Sequence, residues 1–237
     1  AIYAFNSNNM MTSKSGPKNL SMSSTYGNST HPWLPTAITT NSTDVSNIVY
    51  DSKGNVTQID ITGDGQTLTT KMTYDSMNNM TSVTDPKGNK TTYSYDSKGN
   101  LTGVSAPEGV STSISFNAKG LPTSVTNPMN VETQFDYNSY GNLTQTTLPA
   151  LGLTTSSSYD RASRLISSTE ALGRTTSFVY DDNDNLTSET DPAGHTTSYD
   201  YDSNDNMTSI TNAKGGVTSM SYDNVTDWLT SVEFAIA

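Results

Sequence analysis

Two acidic stretches of the sequence have the spacing of a calcium-binding loop. Residues 181–185 and 200–206 place carboxylate and amide oxygens at alternate positions, and oxygen atoms are the ligands that Ca²⁺ prefers. Neither stretch has the glycine that such a loop needs at its sixth position or the glutamate that closes it at the twelfth. Asp and Asn side chains that cap their own turns give the same pattern. The sequence therefore favours turn capping, assigns no metal ligand and leaves calcium binding open as the alternative.

Catalytic groups are sparse. Hydrolytic or nucleophilic catalysis needs a positioned base, and the chain has only two histidines, His31 and His195. His195 stands at a repeat position that other units fill with Asn89, Val110 or Arg174, which is typical of an exposed turn. There is no Cys and no Gly-x-Ser-x-Gly nucleophile elbow. Aspartates that could pair as in a glycosidase recur with the repeat, so the sequence predicts no catalytic residue, no cofactor and no enzyme.

The composition excludes several other classes of function. The chain has 237 residues, 12 Lys+Arg against 23 Asp+Glu and a formal charge of −11, which disfavours nucleic acid or an anionic membrane as a partner. Its 32% of hydrophobic residues lies well below the roughly 45–50% of globular domains, so we expect no thick core. No stretch approaches the ~20 apolar residues of a membrane-spanning helix. Thirteen tyrosines are too many for a disordered tail.

An internal repeat organises most of the chain. An aromatic residue followed by Asp or Asn recurs with spacings of 24, 21, 21, 21, 22, 21, 21 and 21 residues, at Tyr50, Tyr74, Tyr95, Phe116, Tyr137, Tyr159, Tyr180, Tyr201 and Tyr222. A segment like Gly-Asn-Leu-Thr follows six of these pairs, and a Pro/Gly turn such as residues 85–88 comes after it. Such a register is the signature of a repeat architecture. The predicted structural anchors are Tyr74, Asp75, Tyr95, Asp96, Gly99, Asn100, Leu101, Phe116, Tyr137, Gly141, Asn142, Leu143, Tyr159, Asp160, Tyr180, Asp181, Asn185, Leu186, Tyr201, Asp202, Asn206 and Tyr222.

The period predicts an all-β fold. Each unit has room for two strands of about six residues and two turns of about four, and turns that short make neighbouring strands antiparallel. We therefore expect a meander of about sixteen strands in ~21-residue hairpin repeats, forming a long curled or spiralling strip because wide twisted sheets seldom stay flat. Residues 50–237 are predicted to be the array of about eight units, truncated within its last unit. Residues 1–49 lack the aromatic–Asp signal and are predicted to be a divergent or capping segment with a degenerate half-repeat at residues 31–39.

The segments at residues 74–96 and 180–202 closely resemble the RHS, or YD, repeat in length, turn residues and order. The resemblance covers about residues 50–232. It implies a spiralling β-strip, which large bacterial members wrap into a shell around a C-terminal toxin and which teneurins and wall-associated proteins also use. The Asp-Pro core that cleaves itself in that family has no counterpart here, because Asp85-Pro86 and Asp191-Pro192 lie in ordinary repeat turns. No protease role is therefore carried over.

Two hypotheses of function follow. The first is a structural, non-enzymatic strip, part of the shell or stalk of a large secreted or surface bacterial toxin, with flanking repeats of the same or a larger chain as its partners. The alternative is an adhesive or filament-forming surface module, which binds carbohydrate or other copies of itself through open sheet edges. Trp33 and Trp228 are candidates for stacking on sugars. Both hypotheses place the protein outside the cell.

Overall fold

The computed structural model describes residues 2–16, 21–40 and 44–234. The chain divides into two compact units, residues 1–116 and 117–237. The described part of the first unit contains β1 (Ile2–Phe5), β2 (Met11–Ser15), β3 (Ser21–Tyr26), β4 (Pro35–Thr40), β5 (Asp44–Tyr50), β6 (Val56–Gly63), β7 (Gln66–Tyr74), β8 (Met80–Thr84), β9 (Lys90–Tyr95), β10 (Leu101–Ser105) and β11 (Ser111–Phe116). That of the second contains β12 (Pro122–Thr126), β13 (Glu132–Tyr137), β14 (Leu143–Leu148), β15 (Leu153–Tyr159), β16 (Leu165–Thr169), β17 (Thr175–Tyr180), β18 (Leu186–Thr190), β19 (Thr196–Tyr201), β20 (Met207–Thr211), β21 (Val217–Tyr222) and β22 (Leu229–Phe234).

Within each unit every strand pairs antiparallel with the next one along the chain. The only helical pieces in the described residues are single 3₁₀ turns at Pro107–Gly109 and Pro149–Leu151. The predicted all-β meander of hairpin repeats is therefore confirmed. Seventeen complete strands, β6 to β22, lie in residues 50–234 against about sixteen expected. Strands with the same pairing also precede residue 50, and the domain boundary placed there stays a prediction.

Each repeat has two arms. The first arm ends at the aromatic anchor, as β19 does at Tyr201, and the second arm follows the next loop, as β20 does from Met207. In the register of these arms, Tyr199 faces Ile210 and Tyr201 faces Met207, while Asp200 faces Ser209 on the opposite side of the sheet. Because side chains alternate along a strand, each repeat has an aromatic face and a hydroxyl face. Tyr93 and Tyr95 share one face, as predicted from the sequence.

Neither face has a closed core. Among the described residues, no large hydrophobic side chain is fully buried, and the only buried polar side chain is Ser82, which is 4% exposed. Most residues of the aromatic face are half-buried by their neighbours in adjacent strands. On the hydroxyl face, cross-strand hydrogen bonds join pairs such as Thr73 and Ser82 at 2.7 Å or Ser158 and Ser167 at 2.6 Å. Stability must therefore come from contacts between neighbouring strands.

One hairpin departs from the period and explains the 24-residue spacing between Tyr50 and Tyr74. β6 and β7 have eight and nine residues, whereas most strands have five or six. They are joined by a two-residue turn, in which Asp64 and Gly65 have φ values of +50° and +74°. Positive φ at both central residues is the requirement of a type I′ hairpin, and Asp-Gly meets it. This tight turn lets β6 and β7 pair right up to Gly63 and Gln66, so the hairpin is longer than the others.

Candidate functional site: the tyrosine and aspartate loops

The turn that follows each aromatic anchor is a five-residue loop stabilised by its first side chain. In the loop from Asp96 to Asn100, the Asp96 N–H donates to the Asn100 carbonyl at 3.0 Å, and Gly99 donates to the Asp96 carbonyl at 3.1 Å. One carboxylate oxygen of Asp96 accepts the N–H groups of Lys98 and Asn100, and the other accepts the Asn100 side-chain amide at 2.8 Å. Gly99 has a φ of +87°, where a side chain is strained. The aspartate thus satisfies its own loop.

The loops at the Pro/Gly end of the repeat use the same geometry. Asp85 accepts the N–H groups of Lys87 and Asn89 on one oxygen and the Asn89 side-chain amide on the other. Asp191 does the same with Ala193 and His195. From the sequence, the loop after the aromatic anchor and the loop at the other end of the repeat looked like different types of turn, because the first contains Gly-Asn and the second Pro-x-Gly. The capping residue and the positive φ at the fourth position are what they share.

In many of these loops the side chain of the fifth residue donates a hydrogen bond to the side-chain carboxylate of the first residue. Asn fills this fifth position after Asp51, Asp75, Asp96, Asp181 and Asp202. Arg164 fills it after Asp160, and its Nε donates to the carboxylate at 2.6 Å. The same guanidinium reaches the following loop, where it donates to the Asp181 carbonyl and to the Asp184 carboxylate, each at 2.8 Å. Sequence reasoning missed this role of Arg164, because its partners are 17 and 20 residues away.

Asn142 is the exception among the asparagines at the fifth position. Its side-chain amide nitrogen is shielded from solvent and has no hydrogen-bond partner. The first residue of its loop is Asn138, whose single side-chain oxygen already accepts the N–H groups of Tyr140 and Asn142. Asn138 therefore lacks the second oxygen that an aspartate provides in the other loops. The loop keeps its backbone geometry and loses one bond.

Successive loops are also joined to each other. Asn185 donates to the Asp205 carboxylate at 2.8 Å, and Asn55 donates to the Asn78 side chain at 3.1 Å. In both bonds the acceptor is the fourth residue of the loop one repeat further on, which has φ values of +64° at Asp205 and +67° at Asn78. Asp and Asn tolerate this conformation better than other side chains. A glycine there relieves the strain, and it also removes the bond between repeats.

Six anchor tyrosines fasten their first arm to the second arm before it. The Tyr201 hydroxyl donates to the carbonyl of Leu186, the first residue of β18, at 2.9 Å. Five other tyrosine hydroxyls bond in the same way to the first residue of the preceding strand, at Tyr26, Tyr50, Tyr95, Tyr159 and Tyr222. Partial burial raises the pKa of the Tyr50, Tyr74 and Tyr201 hydroxyls. A β-bulge accompanies the anchor in each of these hairpins, for example between Asp200 and Tyr201.

The predicted anchors therefore occupy four kinds of place. The aromatic residues end the first arms, the Asp residues open the loops, Gly99, Gly141 and the loop Asn residues close them, and Leu101, Leu143 and Leu186 begin the second arms. Sequence reasoning missed two further units. Phe5 is followed by Asn6, which caps the same loop through the N–H groups of Asn8 and Met10. Tyr26 is bonded to the carbonyl of Met11, and the aromatic–Asx signal is hidden because Gly27 follows it.

Hydrogen bonds to the loop carboxylates lower the pKa of these aspartates. For Asp96, the main cause is the Asn100 side-chain amide, followed by the backbone N–H of Asn100. The same side-chain donor leads at Asp51, Asp75 and Asp85, whereas backbone N–H groups lead at Asp160, Asp191, Asp202 and Asp223. Hydrogen bonds to the charged form favour it. These carboxylates are held ionised and are poor candidates for proton transfer.

The oxygens that suggested a calcium loop are used within the protein. Asp181 accepts the N–H groups of Asn183 and Asn185, and Asp205 accepts the side-chain amides of the same two residues. Among the described residues, no group of three or more His, Asp or Glu side chains is arranged to hold a metal ion. Turn capping therefore accounts for the acidic pattern without a cation.

The two histidines contact a carboxylate and an aromatic ring. His195 is exposed and contacts the Asp191 carboxylate at 2.9 Å, as the fifth residue of its loop. His31 packs edge-on against Trp33 with 5.6 Å between ring centroids. Neither geometry resembles a nucleophile and base pair.

Within the described residues, no helix is both long and apolar enough to cross a membrane.

Comparisons with known proteins agree with this geometry. The family model described as Teneurin YD-shell matches residues 19–155, and the model described as RHS Repeat matches residues 137–175, 159–196, 180–217 and 201–233. Among solved structures, TcdB2-TccC3 without its hypervariable C-terminal region is similar with a TM-score of 0.53 at 15% identity, over 98% of this chain and 16% of that one. TcdB2-TccC3-TEV gives 0.51 at 12% identity, also over 98% and 16%. At these identities the likeness is one of fold. No curated protein matches the sequence.

Proposed function

The chain belongs to the RHS and teneurin YD-shell repeat family, and on that premise we propose that it is a structural, non-enzymatic wall segment of a large exported shell or stalk. The two similar solved structures are TcdB2-TccC3 proteins, of whose length the chain spans 16%. A segment that corresponds to 16% of such a chain would form one part of its wall. The family and the resemblance to toxin shells support a location outside the cell and a bacterial toxin as the parent protein.

The observation that carries the proposal is that the polar side chains of the loops serve the sheet itself. The Asp96 carboxylate is bonded to its own loop, the Asn185 amide to the next loop, and the Tyr201 hydroxyl to the previous arm. A group whose bonds are already made is a poor catalyst, because it has no free position for a substrate. What remains is a thin sheet with two chemically different faces.

Those faces provide the test. Residues 1–237 contain no Cys, so a cysteine introduced there reports one position once any cysteine in the flanking sequence is replaced by serine. Thr112 and Ser113 are adjacent on β11 and lie on opposite faces, since Thr112 faces Val104 and Ser113 faces Gly103. We propose to place Thr112→Cys and Ser113→Cys in the chain together with the sequence encoded on either side of it. Each variant is then treated with a small maleimide and with a maleimide on a polyethylene glycol of about 5 kDa.

A shell wall predicts that the large reagent modifies only one of the two variants until the protein is unfolded, while the small reagent modifies both. An open strip predicts equal modification of both by the large reagent in the folded state, and that result would contradict the proposal. A downstream Asp-Pro core followed by a variable domain in the coding sequence would support a toxin as the parent.

The adhesive alternative has its own observation. Trp33 and Trp228 are 62% and 75% exposed, and all six residues of β22 are exposed. Exposed aromatic rings stack on sugars, and open strand edges pair with other strands. Specific binding to a glycan array that is lost in Trp228→Ala would favour a carbohydrate-binding module. Rods seen by electron microscopy would favour self-assembly.

A further inference from the structure

A furrow lies between two successive anchor loops of the second unit, the loops that follow the aromatic anchors. One wall is the loop at residues 117–121, and the other is the end of β13 with the start of the loop at residues 138–142. The furrow has a volume of about 450 Å³, within the range of roughly 300–1,000 Å³ that small-molecule sites occupy. Leu121, Phe135 and Tyr137 line it and are half-buried. They give the furrow an apolar and largely aromatic side.

The charge of the two loops comes from Lys119 alone. Its ammonium group donates to the Ser139 carbonyl in the facing loop, and both residues line the furrow and are exposed. An ammonium group has three N–H donors, so two remain for a bound molecule. Neither loop contains Asp or Glu, whereas the four anchor loops that follow all begin with Asp, at residues 160, 181, 202 and 223. The furrow is therefore a cationic place on an acidic chain.

The neighbouring carboxylate does not cancel this charge. Asp136 belongs to the same stretch of β13, but it faces Gln145 on the hydroxyl face of the sheet. Phe135 and Tyr137 are on the other face, because side chains alternate along a strand. An anion in the furrow would thus meet Lys119 and the rings without a carboxylate on the same face of β13.

The Tyr137 hydroxyl is a second polar group that a ligand can use. In six other repeats the anchor hydroxyl donates to the carbonyl of the first residue of a preceding strand. In the described part of the chain, the Tyr137 hydroxyl has no hydrogen-bond partner. A phenol hydroxyl both donates and accepts. Because Tyr137 lines the furrow, this hydroxyl is available to a bound molecule.

An equivalent furrow four repeats further on has the opposite chemistry. It has a volume of about 400 Å³ and is lined by the same repeat positions, with Met220 in the place of Phe135. Asn204 takes the place of Lys119 and donates to the Asp227 carboxylate at 2.9 Å. The Tyr222 hydroxyl there is already bonded to the Met207 carbonyl. The shape thus belongs to the repeat, while the cation and the free hydroxyl belong to the furrow at Lys119.

We propose that the furrow at Lys119 binds a small aromatic carboxylate. The rings of Phe135 and Tyr137 favour an aromatic ring, through offset or edge-to-face contacts. Lys119 and the Tyr137 hydroxyl would bind the carboxylate through charge-assisted hydrogen bonds. One ammonium group balances one negative charge, so a carboxylate fits better than a phosphate dianion, whose second charge would stay unpaired. The inference goes beyond the proposed wall role, since it needs only two neighbouring loops.

The test titrates benzoate into the ¹⁵N-labelled chain and follows the backbone amides by NMR. We expect saturable shifts at Lys119, Gly120 and Ser139 with one dissociation constant of about a millimolar, as for a ligand of few atoms in an open site. The amides of Asn204 and Asn224, in the equivalent furrow, should not shift. Benzamide, which keeps the ring without the charge, and acetate, which keeps the charge without the ring, should each bind at least fivefold more weakly.

Three variants separate binding from folding. Lys119→Met should weaken benzoate binding at least tenfold. Tyr137→Phe should weaken it about fivefold, the loss expected for one hydrogen bond, with no change in melting temperature. Asn138→Asp adds a carboxylate to the furrow wall, where its second oxygen can accept the Asn142 amide. This variant should bind at least fivefold more weakly while its fold is intact.

Equal affinity for benzoate and benzamide, or equal affinity of Lys119→Met and the natural chain, would overturn the proposal. Shifts that do not saturate, or that are as large in the equivalent furrow, would overturn it as well. Tighter binding of inorganic phosphate than of benzoate would contradict the choice of a carboxylate. The wall role is tested by labelling positions 112 and 113, so the wall role and the furrow site can fail independently.

Discussion

The unbonded amide of Asn142 allows a single substitution to be predicted as stabilising. Asn138→Asp supplies the second carboxylate oxygen that the Asn142 amide lacks. In the equivalent loop, the Asn100 amide meets the second Asp96 oxygen at 2.8 Å. Because the backbone of the two loops is bonded alike, the new carboxylate needs no rearrangement to accept the bond.

The expected size of the effect follows from the burial of that amide. A net hydrogen bond contributes about 1 kcal/mol, and a shielded unsatisfied donor costs about 1–3 kcal/mol. Asn138→Asp should therefore raise the free energy of unfolding by about 1 kcal/mol. For a chain of this size, that corresponds to a melting temperature roughly 2–4 °C higher, measured by circular dichroism or calorimetry at pH 7.

The pH dependence separates this bond from other effects. A carboxylate that accepts these bonds has a folded pKa below its unfolded value, so its stabilisation is present above about pH 3.9 and lost as the pH falls through the folded pKa. The control is Asn117→Asp, which adds the same charge to a loop whose fifth residue is Leu121 and has no amide to bond. Equal stabilisation by the two substitutions, or a gain that persists at low pH, would refute the reasoning.

Three further predictions concern the other contacts. Tyr201→Phe removes the hydroxyl bonded to Leu186 and should lower the free energy of unfolding in urea by about 1 kcal/mol. Tyr137→Phe, at an anchor with no such bond, should be close to neutral. Equal effects of the two substitutions would contradict the fastening role. Ser163→Gly should stabilise by about 1 kcal/mol, because Ser163 has a φ of +66°, and Asp184→Gly should gain less, because it loses the Arg164 ion pair. Acid should lower the melting temperature progressively below about pH 4, since the loop aspartates have lowered pKa values; a flat profile would mean that these carboxylates do not support the fold.

The repeat period and its turn residues were enough to predict the class of fold. Gly-Asn, as at Gly99 and Asn100, marks a turn wherever it recurs, and the 21-residue period leaves room for two strands between turns. Local patterns could not reveal the bonds between loops. Arg164 reaches Asp184 across 20 residues, and that contact exists only once the loops are stacked. The lengthened hairpin at Asp64 was missed although Asp-Gly is a strong hairpin signal, because the 21-residue register drew attention to the tyrosines. Tyr26 was missed because Gly27 stands in place of the expected Asp or Asn, and Phe5, although Asn6 follows it, was missed because Tyr26 interrupts the register between Phe5 and Tyr50.

The absence of a fully buried side chain among the described residues has a consequence for how such chains change in evolution. Truncating a residue in a closed interior leaves a void, and the void adds to the cost of the lost contacts. A sheet with no enclosed interior leaves no void behind, so we expect a replacement on its surface to cost only the contacts it made with adjacent strands. Whole units could then be duplicated or lost with little effect on distant ones, and the sequence could drift widely while the loops kept their caps.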